Sequence, residues 1–377
     1  MKLAIVADEL DPRNGWGRYA GELARGLIQA GVDVRLITPS SPAIPADLRS
    51  HSDQAELPSF RHDTPHFARL LVRSLMPLRR AMRGVDVVHC MVEPYAPAAA
   101  AAAGRRPLLM SLVGTYAVPS SRDWIEARLL RWAMRRSRQL IAISRYTEQR
   151  VRADTGFTHT AVVPLAVRVD DFAAPPASIP REPALVLSVG EPKPRKGFDV
   201  TLEAFAMLHQ QLPGLRYVIV GQYSERSPFV TQLRNRICEL GLHNAVTLTG
   251  AVSHDELVRW YHRASVVVMA YQSVGRDFEG FGLVLLEAGA CGCPVISALD
   301  SPAEEIVAAN KTGLLVPPGD AGALRAAMEQ VLQSPDYAHQ LAVGGHARAH
   351  AMSWQRSTAR LIHMYEQTLG VCVRDEL

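Results

Sequence analysis

The chain has 377 residues, of which 48% are hydrophobic and 21% charged, a composition typical of a soluble globular protein long enough for two domains. No run of 18 apolar residues predicts a transmembrane helix, and the apolar run at the start is too short for a secretory signal. Five cysteines without a C-x-x-C pair argue against a disulfide framework and a structural zinc site, so we expect a reducing cytosol.

Short apolar runs alternate with longer segments of helical periodicity along the chain, which predicts parallel sheets covered by helices on both faces. The strand candidates of the first half are residues 3–8, 33–38, 85–90, 107–113, 139–144 and 160–165. Those of the second half are residues 184–190, 216–221, 245–250, 265–270, 293–297 and 313–317. We therefore expect two doubly wound α/β domains facing a central cleft.

The predicted domain limits follow from a Pro- and Ala-rich stretch, residues 170–183, whose composition indicates a linker. We predict a first domain over residues 1–175 and a second over residues 176–352. A final amphipathic segment, residues 353–377, is predicted to cross back to the first domain.

Two segments of the first half, residues 66–86 and 122–138, are basic and carry apolar residues at helical spacing. The second of them holds six arginines against two acidic residues. Such helices bind an anionic membrane surface, whereas a solvated helix face is the ordinary alternative, and both interpretations stay open. No zinc-finger spacing or aromatic-interleaved basic motif indicates nucleic acid.

The stretch "DFEGFGLVLLEAGACGCPVIS", residues 277–297, contains two glutamates in an otherwise apolar or small sequence. A helix is predicted to begin near residues 281–282, where Gly280 and Gly282 let a phosphate approach the N-terminal amides. Glu287 lies too deep in that helix to cap it, and burying a carboxylate is costly without compensation. A ribose diol would compensate it; an ion pair with Arg or Lys is the alternative.

Two further loops follow strand candidates. The loop in residues 188–199 carries Lys193, Arg195 and Lys196, a cluster that suits a diphosphate, with an ordinary surface turn as the alternative. Gly15 and Gly17 separate the first strand from the first helix in another phosphate-type loop. That loop lacks the third glycine of a dinucleotide fingerprint.

Together these segments resemble a retaining GT-B glycosyltransferase of family four, which transfers a sugar from a nucleotide-sugar donor. The most specific element is the E-x7-E pattern from Glu279 to Glu287. The segments "GWGRYA", "VVHCMVEPYAP", "LIAISRYT", "VGEPKPRKGFD", "LTGAVSHDEL", "TGLLVPPGD" and "MSWQRSTARLIHMYEQTL" follow in the family's order over nearly the whole chain. The resemblance implies a GT-B fold, with an acceptor-side and a donor-binding Rossmann-like domain.

The resemblance also implies roles for the donor site. Glu287 would bind the nucleotide ribose and Glu279 the transferred sugar, while Lys196, with Arg195 and Lys193 beside it, would neutralise the diphosphate leaving group. The other implied donor-binding positions are Gly280, Phe281, Gly282 and Leu283 near the sugar and diphosphate, Gly15 and Gly17 from the first domain, and Gly250 to Val252 at the base. His89, Glu93 and Tyr116 are acceptor-side candidates, although His89 is equally well interpreted as a structural histidine.

The implied reaction needs no metal and no cofactor beyond the donor, for which we expect a UDP-sugar in preference to a GDP-sugar. The absence of a D-x-D motif agrees with this, because cations and helix amides can stabilise the departing diphosphate. The acceptor is expected to be a sugar, a lipid-linked molecule or a small molecule, selected partly by loops 40–64 and 114–122. We expect a cytoplasmic protein, peripheral on the inner face of the cell membrane if its basic segments bind lipid.

Two positions depart from the usual pattern of the family. Val113 stands where many members have His before Gly-Thr, and Glu191 where many have Arg. Two alternatives stay open besides transfer. A sugar-nucleotide epimerase would share this two-domain architecture, and a catalytically weak donor-binding partner subunit is motivated by Val113 and Glu191.

Overall fold

The computed structural model describes residues 1–11, 15–39, 44–54, 57–58, 67–121, 124–173 and 179–370. Parts of the predicted acceptor loops, of the linker, of both basic segments, of the loop before Gly15 and of the final segment lie outside these residues. The chain forms two compact units: unit 1 joins Met1–Leu165 to the segment from Trp354 onward, and unit 2 is Ala166–Ser353. The sequence predicted these limits at residues 175 and 352.

Unit 1 is built on a seven-stranded parallel sheet with the strand order β3-β2-β1-β4-β5-β6-β7. Its strands are β1 (Lys2–Val6), β2 (Asp33–Thr38), β3 (Ser52–Gln54), β4 (Val87–Cys90), β5 (Leu108–Leu112), β6 (Gln139–Ala142) and β7 (Thr160–Val162). Its first helices are α1 (Gly15–Gln29), α2 (Phe67–Ala81), α3 (Ala96–Ala103), α4 (Trp124–Arg136) and α5 (Arg145–Thr155).

The strand β3 was missed by the sequence analysis, which predicted a loop over residues 40–64. It pairs with β2 at the edge of the sheet. Its three residues, Ser-Asp-Gln, carry neither apolar alternation nor β-branching, so no pattern marks it.

Unit 2 has a six-stranded parallel sheet with the strand order β10-β9-β8-β11-β12-β13. The strands are β8 (Leu185–Val189), β9 (Arg216–Val220), β10 (Val246–Gly250), β11 (Val266–Met269), β12 (Val295–Ala298) and β13 (Leu314–Val316). The helices are α6 (Phe198–His209), α7 (Pro228–Glu239), α8 (His254–Arg263), α9 (Leu283–Ala290), α10 (Ala321–Gln333) and α11 (Pro335–Ala351).

The last helix, α12 (Trp354–Leu369), belongs to unit 1 and packs on α1. The helices approach closely, since a Cβ on Gly26 would lie 2.3 Å from the Thr358 hydroxyl oxygen. Ser357 donates a hydrogen bond of 2.7 Å to the carbonyl of Pro164 at the start of the helix. These contacts attach α12 at the point where it enters the unit.

Each sheet reverses its strand order at one place, between β1 and β4 in unit 1 and between β8 and β11 in unit 2. In doubly wound folds, ligands bind outside the carboxyl ends of the strands at such switch points. The loops after β8 and β11 carry the predicted cations and Glu279, and the loops after β1 and β4 carry the glycines and Glu93. Among the described residues, no helix is long and apolar enough to cross a bilayer.

Candidate functional site

Two loops of unit 2, after the neighbouring strands β8 and β11, are fastened to each other. The amide of Gln272 donates to the carbonyl of Arg195 at 3.1 Å, and the Gln272 side-chain amide donates to Pro194 at 2.9 Å. Gly197 has φ +67°, and a Cβ there would lie 1.8 Å from the carbonyl oxygen of Ala270. Only glycine fits this contact, which fixes the cations beside the end of β11.

The cation–carboxylate cluster consists of Arg195, Lys196 and Glu279. Lys196 Nζ lies 2.7 Å from Glu279 Oε2, and Arg195 Nε lies 3.9 Å from the same oxygen. Burial alone would raise the pKa of the Glu279 carboxyl, but both cations and the amide of Gly280 hold that pKa below its usual value. The carboxylate is therefore ionised at neutral pH, and the cluster has more positive than negative charge.

Lys193, which was predicted to neutralise the diphosphate together with Lys196 and Arg195, forms an ion pair outside the cluster. Its ammonium lies 2.8 Å from the carboxylate of Glu191, one of the two positions that depart from the family pattern. Both side chains are more exposed than those of Lys196 and Glu279. The local pair offsets the charge that Glu191 introduces, and Arg195 is the second cation beside Glu279.

The helix α9 begins at Leu283, after Gly282, where the sequence predicted its start. Gly282 has φ +95°, and a Cβ there would lie 3.1 Å from the ring of Tyr271. Phe281 is 2% exposed, so its side chain belongs to the core and only its backbone is available to a ligand. The first amides of α9 follow Glu279 directly, an arrangement that favours an anion at the helix N-terminus.

Glu287 is 3% exposed in the second turn of α9. Its carboxylate accepts a hydrogen bond of 2.6 Å from the hydroxyl of Tyr261 in α8. The sequence indicated a ribose or a basic side chain as compensation and missed this tyrosine. The tyrosine hydroxyl therefore contributes to the compensation of this buried carboxylate.

Tyr271, also missed by the sequence analysis, lies between the cluster and α9. The Lys196 ammonium is 5.3 Å from the centroid of its ring, within the range of a cation–π contact. Its hydroxyl is buried and has no hydrogen-bond partner in the described part of the chain. Burial, followed by the charge of Glu279, raises the pKa of this phenol well above its ordinary value, so it stays neutral.

The predicted base-binding segment follows β10. Gly250 ends that strand with φ +75°, and its carbonyl accepts from the amide of Gly221 at 3.1 Å. Val252 is half-buried, two residues before α8. The structure thus places this segment at the carboxyl edge of the sheet of unit 2, the edge that also carries the cluster.

The glycines predicted in unit 1 open α1. Gly15 is exposed, whereas Gly17 is buried against its own loop, because a Cβ there would lie 2.3 Å from the carbonyl oxygen of Asp11. Trp16 packs edge-on against Tyr116, with ring centroids 5.5 Å apart. Tyr116, an acceptor-side candidate, is therefore part of a half-buried aromatic pair at the carboxyl edge of this sheet.

His89 is completely buried within a hydrogen-bonded chain of side chains. Its Nε2 lies 2.9 Å from the Ser111 hydroxyl, which lies 2.8 Å from the Tyr19 hydroxyl, and its Nδ1 lies 2.7 Å from the Tyr365 hydroxyl. Burial lowers the pKa of His89 to about 3. The arrangement favours the structural interpretation: a neutral imidazole that connects β4 to α12.

Glu93, the remaining acceptor-side candidate, is also completely buried. Its Oε1 accepts a hydrogen bond of 2.5 Å from the amide of Val113. Many family members have His at the position of Val113. In this structure the carboxylate of Glu93 accepts a hydrogen bond from the backbone amide of that residue. The pair connects the ends of β4 and β5.

Two family models match consecutive parts of the chain. A model described as Glycosyltransferase Family 4 matches residues 13–171, and one described as Glycosyl transferases group 1 matches residues 170–348. Together the two glycosyltransferase models match residues 13–348 of the chain, in the order of its two units.

Curated relatives of the chain carry transferase names. It is 30% identical over 234 residues to the GDP-mannose-dependent alpha-(1-6)-phosphatidylinositol monomannoside mannosyltransferase of Mycolicibacterium smegmatis, over 59% of this chain and 60% of that protein. It is 26% identical over 403 residues to the D-inositol 3-phosphate glycosyltransferase of Thermobispora bispora, over 94% of this chain and 90% of that protein. The chain spans only about 60% of the length of the first relative.

Solved structures agree on the fold. Sucrose-phosphate synthase from Thermosynechococcus elongatus superposes with a TM-score of 0.84 at 22% identity, covering 99% of this chain and 100% of that one. Anabaena HepE in complex with UDP and glucose superposes with a TM-score of 0.81 at 18% identity, covering 97% and 99%. The predicted GT-B fold, two Rossmann-like α/β domains, is confirmed.

Proposed function

We propose that the chain is a glycosyltransferase that moves a sugar from a nucleoside-diphosphate sugar to an acceptor hydroxyl with retention of anomeric configuration. The observation that carries the proposal is the cation–carboxylate cluster, since Lys196 and Arg195 converge on Glu279 at the switch point of unit 2. The matches to two glycosyltransferase models and the transferase names of the relatives support it.

The cluster provides the groups that a diphosphate and a sugar require. Two cations and the first amides of α9 favour the diphosphate. In the ligand-free protein Glu279 occupies Lys196 as its counter-ion. A bound diphosphate replaces that counter-ion and leaves the Glu279 carboxylate to accept hydrogen bonds from sugar hydroxyls. The donor thus takes over an ion pair that already holds both side chains in place.

In the transfer step, the bond between the anomeric carbon and the diphosphate oxygen breaks, and a bond from that carbon to the acceptor oxygen forms on the same face. The diphosphate oxygen takes the acceptor proton. Negative charge grows on the leaving group as the bond breaks, and Lys196 and Arg195 are placed to stabilise it. No metal is part of this proposal.

Glu287 is proposed to bind the ribose hydroxyls of the nucleotide. An ionised carboxylate can accept several hydrogen bonds, so Glu287 can accept from ribose hydroxyls as well as from Tyr261. Gly250 to Val252 are proposed to meet the base. Gly15 and Gly17 remain predicted contributors from unit 1, as do Glu93 and Tyr116 for the acceptor.

The nucleotide base stays a prediction in favour of UDP. The name of the Mycolicibacterium relative specifies GDP-mannose, whereas the Anabaena structure is a complex with UDP and glucose. We propose a sugar, a lipid-linked molecule or a small molecule as the acceptor, in the assembly of a glycan, a polysaccharide, a glycolipid or a natural-product glycoside. The proposed location is cytoplasmic, peripheral on the inner face of the cell membrane.

Two other functions remain as alternatives, epimerisation of the sugar nucleotide and donor binding without turnover. The departures from the family pattern at Val113 and at Glu191 motivate the second, and only Glu191 adds a charge. Its charge is met by Lys193, which leaves Arg195 and Lys196 to the cluster and therefore favours turnover.

A donor screen tests the proposal. The wild-type protein is titrated calorimetrically with UDP-, GDP-, ADP- and dTDP-sugars, and the best donor is incubated with candidate acceptors while products are separated. We expect one donor class to bind, and Lys196→Ala to lower the rate of transfer about 10²–10³-fold while an exposed control, Arg226→Gln, retains it. A new sugar nucleotide without transfer would support the epimerase, and binding without any product would support the partner subunit.

A further inference from the structure

Two helices of unit 1, α2 and α4, form its outer layer on one side. The helix between them in sequence, α3, is almost entirely buried and packs against both. α2 and α4 also contact each other. Each therefore has one side on the core and another side that faces outward.

The outward side of these helices carries large apolar side chains. On α2, Val72 is 75% exposed and Met76 is also exposed; on α4, Trp124 is 72% exposed, with Ile125 and Trp132 exposed beside it. Elsewhere in the described chain, exposed apolar side chains such as Met207 and Val343 lie on separate helices. A concentration of this kind marks an interaction site.

The same side of both helices is basic. Positions 69, 72, 73, 76 and 80 follow the spacing of one helix face, so arginines and apolar residues alternate along α2. The exposed arginines of the two helices are Arg69, Arg73, Arg79, Arg80, Arg128 and Arg135. The sequence of α2 contains no acidic residue, and the single acid of α4, Glu126, is buried.

We propose that this docking face, the exposed side chains of α2 and α4, binds the surface of an anionic lipid bilayer. Arginines attract anionic headgroups, while tryptophans and aliphatic side chains insert at the boundary between headgroups and acyl chains. The face is both basic and apolar, and this combination identifies the partner. An acidic protein would need a carboxylate opposite each arginine, whereas a bilayer supplies anionic and apolar surface together. The proposal does not depend on turnover.

Two kinds of interaction are separable on this face. Arginine binding is electrostatic, so added salt weakens it. Tryptophan insertion is apolar and persists at high salt. The variant pairs Arg73→Gln/Arg128→Gln and Trp124→Ala/Trp132→Ala each remove one kind from exposed positions, so neither pair disturbs the core. The matched control is Val343→Ser/Arg226→Gln, which changes one exposed apolar residue and one exposed arginine in unit 2.

The test is co-sedimentation of the full chain with vesicles of phosphatidylcholine alone and with about 30% phosphatidylserine, a composition on the order of that in anionic membranes. We expect binding to the anionic vesicles only. The arginine pair is expected to weaken binding by about fivefold per residue, and the tryptophan pair by at least about tenfold. The control pair binds like the wild type, and circular dichroism checks that every variant folds.

Three outcomes overturn the proposal. One is equal sedimentation with neutral and anionic vesicles, and another is an equal loss in the control pair. The third is self-association without lipid that the tryptophan pair abolishes, measured by analytical ultracentrifugation, together with no vesicle binding. That result would assign the face to a second copy of this chain. Donor binding by calorimetry is measured on the same samples, so failure here is distinguishable from failure of the transferase proposal.

Discussion

The two units use the same sheet topology for opposite purposes at their switch points. In unit 2, between β8 and β11, charged side chains meet in the cation–carboxylate cluster. In unit 1, at β4, a neutral chain of hydroxyls and one imidazole links the sheet to α12. Charged groups close to the surface are available to a ligand, whereas a satisfied buried network holds structure together. The topology alone therefore does not identify the reactive half.

The largest expected effect is a loss of activity on changing the cation–carboxylate cluster of unit 2. Lys196→Ala removes the cation nearest Glu279, so kcat should fall about 10²–10³-fold if the lysine stabilises the leaving group. Single-turnover transfer assays with the best donor measure this. Lys193→Ala is the control, and because Lys193 pairs with Glu191 it should lose less than about tenfold. Equal losses in the two variants would contradict the separate roles of these lysines.

The next effect is a loss of stability on breaking the neutral hydrogen-bonded chain of unit 1. His89→Ala leaves the buried hydroxyls of Ser111 and Tyr365 without their imidazole partner, so it should destabilise the protein by about 2–4 kcal/mol. Urea unfolding measures the change, and calorimetry should find donor affinity unchanged. A lost affinity at full stability would instead place His89 in the site.

The same histidine gives a pH dependence. The folded protein holds His89 neutral down to a pKa of about 3, while the unfolded imidazole takes up a proton near its ordinary value. The unfolded state therefore binds more protons between these values, and stability should fall as the pH drops from about 6.5 towards 3, by at most about 1.4 kcal/mol per pH unit. His89→Gln lacks this imidazole, so its stability should fall less steeply over the same pH range, and the difference between the two profiles should equal the His89 contribution. Parallel profiles would contradict a buried neutral His89.

A smaller effect tests the ribose role. Glu287→Gln keeps the shape of the side chain but removes its charge, so nucleotide affinity should weaken about tenfold. Tyr261→Phe is the companion variant: it removes the hydrogen bond from Tyr261 but leaves the carboxylate in place, so it should cost stability rather than affinity. If calorimetry gives Glu287→Gln the affinity of the wild type, the ribose assignment is wrong.

The smallest effect contrasts two buried tyrosines. The Tyr271 hydroxyl has no described partner, so Tyr271→Phe should change the free energy of unfolding by less than about 0.5 kcal/mol. The Tyr19 hydroxyl contacts Ser111, so Tyr19→Phe should lose about 1 kcal/mol. Thermal unfolding of both variants measures the two changes in the free energy of unfolding. A larger loss in Tyr271→Phe than in Tyr19→Phe would contradict the assigned hydrogen bonds.

The sequence predicted most of the fold because buried parallel strands are continuous apolar runs, such as Val266–Met269. It also located the start of α9, since the glycines around Phe281 mark it. It missed β3, whose polar residues at a sheet edge carry no pattern.

The side-chain pairs described above could not be predicted from the sequence, because they join residues far apart in the chain. Lys196 and Glu279 are separated by 83 positions, and His89 and Tyr365 by 276. Local periodicity describes which face of an element is buried and does not say what it meets. Tyr261 and Tyr271 gave no signal at all, since an isolated tyrosine before or after a strand is ordinary core material.

The return of α12 to unit 1 imposes an order on synthesis. Unit 2 is one unbroken stretch between β7 and α12, so all of it leaves the ribosome before α12 does. Domains fold as their chain becomes available. Until then Gly26 lacks its neighbour Thr358, and His89 lacks the hydroxyl of Tyr365. The unit whose first strand is made first is therefore completed last, and a chain released before residue 354 would have all of unit 2 but an unfinished unit 1.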